Sequence, residues 1–245
     1  MLAGDPSGSS PSASARSHPT ARATAPNHVT CDVVLPCRDE ARALPAVFAD
    51  WPKGLRPIVV DNGSVDETAQ VARDHRAEVV VETLPGYGAA VHAGVLAARA
   101  PYVAVLDGDG SMTPAELLPL LELVRSGEVT MAVGRRRPVS RGVWPWHARA
   151  GTLLLAWWLR RRTGLPVHDI APMRVCRRED LVALGVVDRR FGYPLELLLR
   201  AARAGWTVRE VDVSYGPRAA GTRSKVSGSL RGTLRTARDF ARVLR

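Results

Sequence analysis

From Cys31 onward, short apolar runs rich in β-branched residues alternate with helical segments, and that alternation constrains the fold more than any other feature of the chain. The runs at 33–35, 58–60, 79–81, 102–106 and 129–133 read as strands. Between them, 43–50, 64–76, 88–98 and 114–125 carry helical patterning. Repeated strand–helix–strand units of this length predict an α/β fold with a mostly parallel, doubly wound sheet. Two helix starts look marked by caps: "SVDE" puts Ser64 three residues before Glu67, and "TPAE" puts Thr113 before a proline and Glu116. After Gly134 the regularity breaks, leaving helices at 151–162 and 194–204 and a strand at 208–213.

In an open parallel sheet, ligands bind beyond the carboxyl ends of the strands. This chain places its acids there. The first strand runs into "PCRDE" (36–40), the second ends in "DNGSVDET" (61–68), and the fourth ends in "DGDGS" (107–111). One such turn is ordinary turn chemistry; three on one rim are not explained by packing. Asp107 and Asp109 repel each other unless a cation or ligand joins them. Oxygen donors one residue apart suit Mg²⁺ or Mn²⁺, with phosphate and water completing the coordination shell. "GYGAAVHAG" (86–94) is not a dinucleotide fingerprint, because its glycine spacing is wrong and it follows the third strand. His92 reads as an ordinary helical histidine, and His168 lacks a second histidine that would make it a metal ligand.

The motifs "LPCRDE", "VVDNGSVDET", "GYGAAVHAG", "VLDGDGS" and "VGRRRP", in this order, resemble the nucleotide-binding half of the family 2 glycosyltransferases. These are inverting enzymes of the GT-A fold. The block "FGYPLELLLRAARAGWTVREVDVSYGPRAAGTRSKVSG" resembles the branch containing dolichol-phosphate mannosyltransferase and bacterial polyprenyl-phosphate glycosyltransferases. The resemblance implies that Pro36, Arg38 and Glu40 border the nucleotide. It implies that Asp61 holds the base or ribose, with Ser64 and Asp66 supporting that loop. Gly86 and Gly88 would let backbone approach the nucleotide. Asp107, with Gly108 beside it, would face ribose and metal, Asp109 would coordinate the metal, and Ser111 would assist. Asn62, Tyr87 and Ser111 depart from residues common in the family, which leaves the donor base and sugar open.

Inverting transfer to a hydroxyl needs a general base, usually a carboxylate, whereas a lipid phosphate is already anionic and needs positioning. Asp169 and Glu196 are the leading acids outside the donor loops, Asp169 because "DIAPMR" resembles the family's segment after the acceptor helix. A capping role for Glu196 stands beside the catalytic one. Cations suited to phosphate are Arg135, Arg136, Arg149, Arg218, Arg223 and Lys225, with Ser224 between the last two. Trp144, Trp146, Trp157 and Trp158 fit either a lipid groove or a core, and the core reading is preferred for Trp157 and Trp158.

These readings divide the 245 residues into a disordered leader (1–28), one GT-A domain (29–228) and a basic amphipathic C-terminal helix (229–245). Within the domain, 31–134 would bind the nucleotide and 135–228 the acceptor. The leader has no apolar core of a signal peptide, although its Arg and Ser content weakly resembles a transit peptide. No apolar run is long enough to span a bilayer. Three widely spaced cysteines fit a reducing cytosol. The expected protein is cytoplasmic and touches an anionic membrane peripherally, since residues 216–245 hold eight Lys or Arg against Asp239 alone. The expected substrates are a nucleotide-sugar donor and a polyprenyl-phosphate acceptor. Two alternatives stay open: a soluble small acceptor, or a basic nucleic-acid-binding protein. The second leaves three acidic loops without a purpose.

Overall fold

A computed structural model describes residues 29–170 and 172–219. One sheet of seven strands organises them, in the order β3-β2-β1-β4-β6-β5-β7. The strands are β1 (Cys31–Cys37), β2 (Leu55–Asp61), β3 (Glu78–Val81), β4 (Tyr102–Val105), β5 (Met131–Pro138), β6 (Arg174–Arg177) and β7 (Val208–Tyr215). All pairings are parallel except those of β6, which runs antiparallel to both neighbours.

Alternation along β1 divides the core into two. Val33 and Leu35 face α1 (Leu44–Phe48), α2 (Thr68–Asp74) and α4 (Leu117–Arg125). Val34 faces the side covered by α3 (Tyr87–Ala97), α5 (Trp146–Thr163), α6 (Arg178–Ala183) and α7 (Tyr193–Arg203). Strands buried on both faces need continuous apolar runs, which explains why β1, β2 and β4 were readable from sequence.

Several expectations change. Strand β6 and helix α6 were not foreseen, and β6 comes from beyond residue 134 yet lies between β4 and β5. The two halves of the chain therefore share one sheet. Strand β5 extends to Pro138, so Arg135 and Arg136 lie within it, not after it. Helix α2 begins at Thr68, and Ser64 caps nothing: its hydroxyl accepts a hydrogen bond from the Asp39 amide instead. Thr113 precedes a short 3-10 turn (Pro114–Glu116) without a side-chain cap, and Glu116 accepts from the Ser214 amide. Trp157 is half-exposed, against the core reading, whereas Trp158 does pack on the core. Among the described residues no helix is long and apolar enough to cross a membrane. The expected leader (1–28) and C-terminal helix (229–245) lie outside the described residues.

At the end of the sheet opposite the acidic rim, Asp32 on β1 is fully buried. It takes a forked pair of hydrogen bonds from Arg56 at 2.7 Å and two more from the Arg99 and Ala100 amides. Burial alone would raise its pKa; Arg56 and the two amides outweigh that and hold it below the usual carboxylate range. A depressed carboxylate stabilises the fold above its unfolded pKa, and that contribution is lost as pH falls through the folded value. Asp32→Asn should therefore cost about 3 kcal/mol in urea unfolding at neutral pH. The loss should shrink in acid, where the wild type gives up the same interaction.

Candidate active site

The loops after β1 and β2 are laced together. Asp39 accepts from the Val65 amide, Ser64 accepts from the Asp39 amide, and Asp66 accepts from the Ala41 amide. Asp61 accepts from the Ser64 amide, and the Glu40 amide donates to the Thr68 hydroxyl at 2.8 Å. Glu40 is buried, Pro36 partly so, and the Arg38 side chain is exposed beside Asp39. The sequence-nominated residues of these loops are thus brought together at one rim. Asn62 binds the next loop in as well: its amide donates to the Glu82 and Leu84 carbonyls and accepts from the Gly86 amide. An aspartate could not make both donations.

The glycines serve the scaffold. A Cβ on Gly88 would lie 2.5 Å from the Asp188 carbonyl oxygen, and one on Gly86 2.1 Å from that of Arg189. Their missing side chains admit the 188–190 backbone, whose carbonyls accept from the Gly88 and Ala89 amides. A Cβ on Gly108 would meet the Cys37 sulfur at 2.4 Å. At Gly86 and Gly88 the space a side chain would take is filled by the 188–190 backbone, and at Gly108 by Cys37. Gly88→Ala should destabilise the fold by about 1–3 kcal/mol, as overpacking does, and a thermal melt would show it.

The acid pair sits among cations. Burial, then the charge of Asp109, pushes the Asp107 carboxyl up to about 7, against the opposing pull of Arg218, Arg136 and Arg174. Asp109 is buried and paired with Arg218 at 2.6 Å, and it accepts from the Ser111 amide. The segment after β7 is strapped over this loop: the Gly216 and Ala219 amides donate to the Ser111 and Asp109 carbonyls. Two polar atoms here are buried without a partner, the Tyr87 and Ser111 hydroxyls. Orphaned hydroxyls beside a crowded acid pair fit a site whose remaining partners come from a bound group. Two carboxylates with arginines around them match the donor set for a divalent cation shared with a diphosphate. Among the described residues no cluster of three metal-ligating side chains exists, so such a cation would take its other ligands from phosphate and water.

Asp169 is almost wholly buried, and both of its oxygens are taken by Arg136. Nε reaches Oδ2 at 2.8 Å, Nη2 reaches Oδ1 at 2.7 Å, and the Arg136 amide also donates. The Arg136 guanidinium lies 4.1 Å from the Trp144 ring centroid and 5.4 Å from that of Tyr215. Glu196, nominated with Asp169, accepts from the Val187 and Asp188 amides and pairs with Arg200 at 2.6 Å. Burial would raise its pKa; those amides and Arg200 hold it down. Glu196 thereby fixes the 187–190 loop that packs on Gly86 and Gly88. Arg149 is exposed on the first turn of α5. Arg223, Ser224 and Lys225 lie outside the described residues.

Sequence reasoning missed two residues here. Arg174 is buried on β6 close enough to Asp107 to pull on its proton. Four residues, two of them arginine, gave no strand signal. Glu210 on β7 accepts from the His168 and Asp169 amides and so sets the Asp169 segment.

A mixed sheet with one reversed strand, carrying an acid pair beyond β4 and arginines facing it, defines a GT-A glycosyltransferase. Its likeness to solved structures agrees. The crystal structure of glucosyl-3-phosphoglycerate synthase from Mycobacterium tuberculosis, in complex with Mn²⁺, UDP and glucosyl-3-phosphoglycerate, superposes with a TM-score of 0.68 at 24% identity, covering 88% of this chain and 78% of that one. The profile of Glycosyl transferase family 2 matches residues 32–181, and the chain belongs to that family. An uncharacterised glycosyltransferase of Mycobacterium tuberculosis is 61% identical over 212 residues, 86% of this chain and 96% of that protein. The dolichyl-phosphate hexose transferase of Haloferax volcanii is 34% identical, over 78% of this chain and 85% of that protein. The polyprenol monophosphomannose synthase of Mycolicibacterium smegmatis is 32% identical, over 80% and 81%.

Proposed function

We propose that this glycosyltransferase moves a hexosyl group, with inversion, from a nucleoside-diphosphate sugar to the phosphate of a polyprenyl carrier. The observation that carries this reading is the Arg136 fork on Asp169. Both Asp169 oxygens are occupied by the guanidinium and so are not turned to an acceptor hydroxyl, and a phosphate nucleophile needs no base. Two relatives are named for polyprenyl-type substrates, which supports the same acceptor class.

Asp107 and Asp109, with Ser111, would hold Mg²⁺ or Mn²⁺, which when bound supplies Lewis-acid stabilisation of the departing diphosphate. Arg218 would move from Asp109 to a phosphate as the acid pair turns to the cation. Arg174 and Arg136 lend positive charge to the same pocket. The loops at Pro36, Arg38, Glu40, Asp61, Ser64 and Asp66 would seat the nucleoside. A phosphate oxygen of the acceptor attacks the anomeric carbon, the bond from that carbon to the diphosphate oxygen breaks, and the nucleoside diphosphate leaves. No proton moves in that exchange. Glu196 acts as a positioning residue for the loop under α3.

The test is nucleoside-diphosphate release from a panel of nucleotide sugars, with polyprenyl phosphate or soluble phosphorylated acids as acceptor, with and without EDTA. Turnover only with a soluble acceptor would reject the lipid assignment, and turnover indifferent to EDTA would reject the metal. Arg149→Ala should raise the KM for the lipid phosphate about tenfold with donor affinity unchanged, the loss of one charged contact. Equal losses for donor and acceptor would place Arg149 in the scaffold.

A further inference from the structure

Helix α5 turns a face outward that nothing in the described fold covers. Among its residues only Ala156 and Leu159 are buried. Trp146, Leu153, Leu154 and Trp157 expose 81, 47, 66 and 47% of their surfaces. At about 100° per residue, Trp146, Leu153 and Trp157 fall on one line, with Leu154 beside it. Across its 18 residues the helix carries no Asp or Glu. Exposed His147, Arg149 and Arg161 flank the stripe, and the Arg161 guanidinium lies 5.4 Å from the Trp157 ring centroid.

Exposed apolar side chains scattered singly need no explanation; a line of two tryptophans and two leucines on one helix does. We propose that α5 is a docking surface for an anionic lipid membrane. Trp and Leu enter the boundary between headgroups and acyl chains, and the arginines, whose stems can lie along apolar surface, meet lipid phosphates. The chain that leads into this helix comes from the candidate active site. Trp144, two residues before Trp146, packs against the Arg136 guanidinium.

Charge selects this occupant over others. A second copy of the helix would bring Arg149 and Arg161 against their counterparts with no acid on either helix to offset them. The chain's own 229–245 segment carries five arginines against Asp239, and is the wrong sign as well. A nucleic acid would match the arginines but offers nothing to Leu153 and Leu154.

The inference does not require the acceptor to be a lipid, and its test involves neither donor nor acceptor. Full-length protein is floated with phosphatidylcholine vesicles, with or without phosphatidylglycerol, at low and high salt. Binding is expected to the anionic vesicles only, and salt should weaken it. The double variant Leu154→Ser/Trp157→Ser should partition about tenfold less, with its thermal melt lowered only in proportion to the half of Trp157 that is buried. Trp146→Ser, at the most exposed position, repeats the measurement where folding has least at stake. A chain lacking 229–245 should keep part of its binding. Three results would overturn the proposal: no binding to anionic vesicles, α5 variants that bind as the wild type does, or variants that lose only self-association in sedimentation. Vesicle binding by an enzyme that glycosylates a soluble acceptor would leave this surface standing and reject the acceptor assignment alone.

Discussion

Asp109→Asn is expected to lower transfer by at least about 10³-fold and to abolish the thermal stabilisation given by Mn²⁺ with a nucleoside diphosphate. The fold should survive it. In the structure Asp107 is pushed up to about 7 first by burial and then by its neighbour's charge, so removing that charge relieves a repulsion. What is lost is the Arg218 pair, and Arg218 is partly exposed and can turn to water. The metal-free variant should therefore melt no lower than the wild type by more than about 1 kcal/mol. Two measurements then separate function from fold. A variant that still gains stability from Mn²⁺ and UDP or GDP would remove Asp109 from the metal site. A variant that fails to fold would make the acid pair a structural element, contrary to the crowding seen around it.

The acids of this rim were legible because each follows a buried strand, and buried strands announce themselves by unbroken apolar runs. What surrounds the acids was not. Ser64 looked like the cap of a helix, since a local pattern is all that a sequence displays, while Asp66 was expected only to support the loop. Their partners are the Asp39 and Ala41 amides, some 25 residues away, and those bonds override the local rule. Arg174 escaped notice because its strand has four residues and is recruited by antiparallel pairing with β4 and β5. Gly88 was assigned to the nucleotide on resemblance, although the space it leaves is occupied by the backbone of residue 188. Asp169 was singled out, with Glu196, as a leading acid outside the donor loops. That its charge is spent on Arg136 follows only from β5 running four residues beyond Gly134 to carry that arginine alongside.

The Asp169–Arg136 pair yields the second large effect, and a double-mutant cycle decides what the pair does. If Asp169 served as a general base, Asp169→Asn would abolish transfer through lost proton abstraction, and Arg136→Gln would act separately through lost charge. The two losses would then multiply. If Asp169 is a positioning residue for Arg136, either change releases the same guanidinium or removes it, and the double variant Asp169→Asn/Arg136→Gln should be no worse than the weaker single. We expect the second pattern, with each single variant slowed by about 10²–10³-fold, as for loss of a preorganised charged group. Stability adds an independent readout. Arg136→Gln leaves a buried, uncompensated carboxylate and should cost about 3–5 kcal/mol, whereas the double variant buries only neutral amides and should recover much of that. The pH profile completes the test. A base would give a rate that rises with pH through a single ionisation and loses that limb in Asp169→Asn. A phosphate acceptor positioned by Arg136 leaves the profile of the variant parallel to that of the wild type, lower by a constant factor.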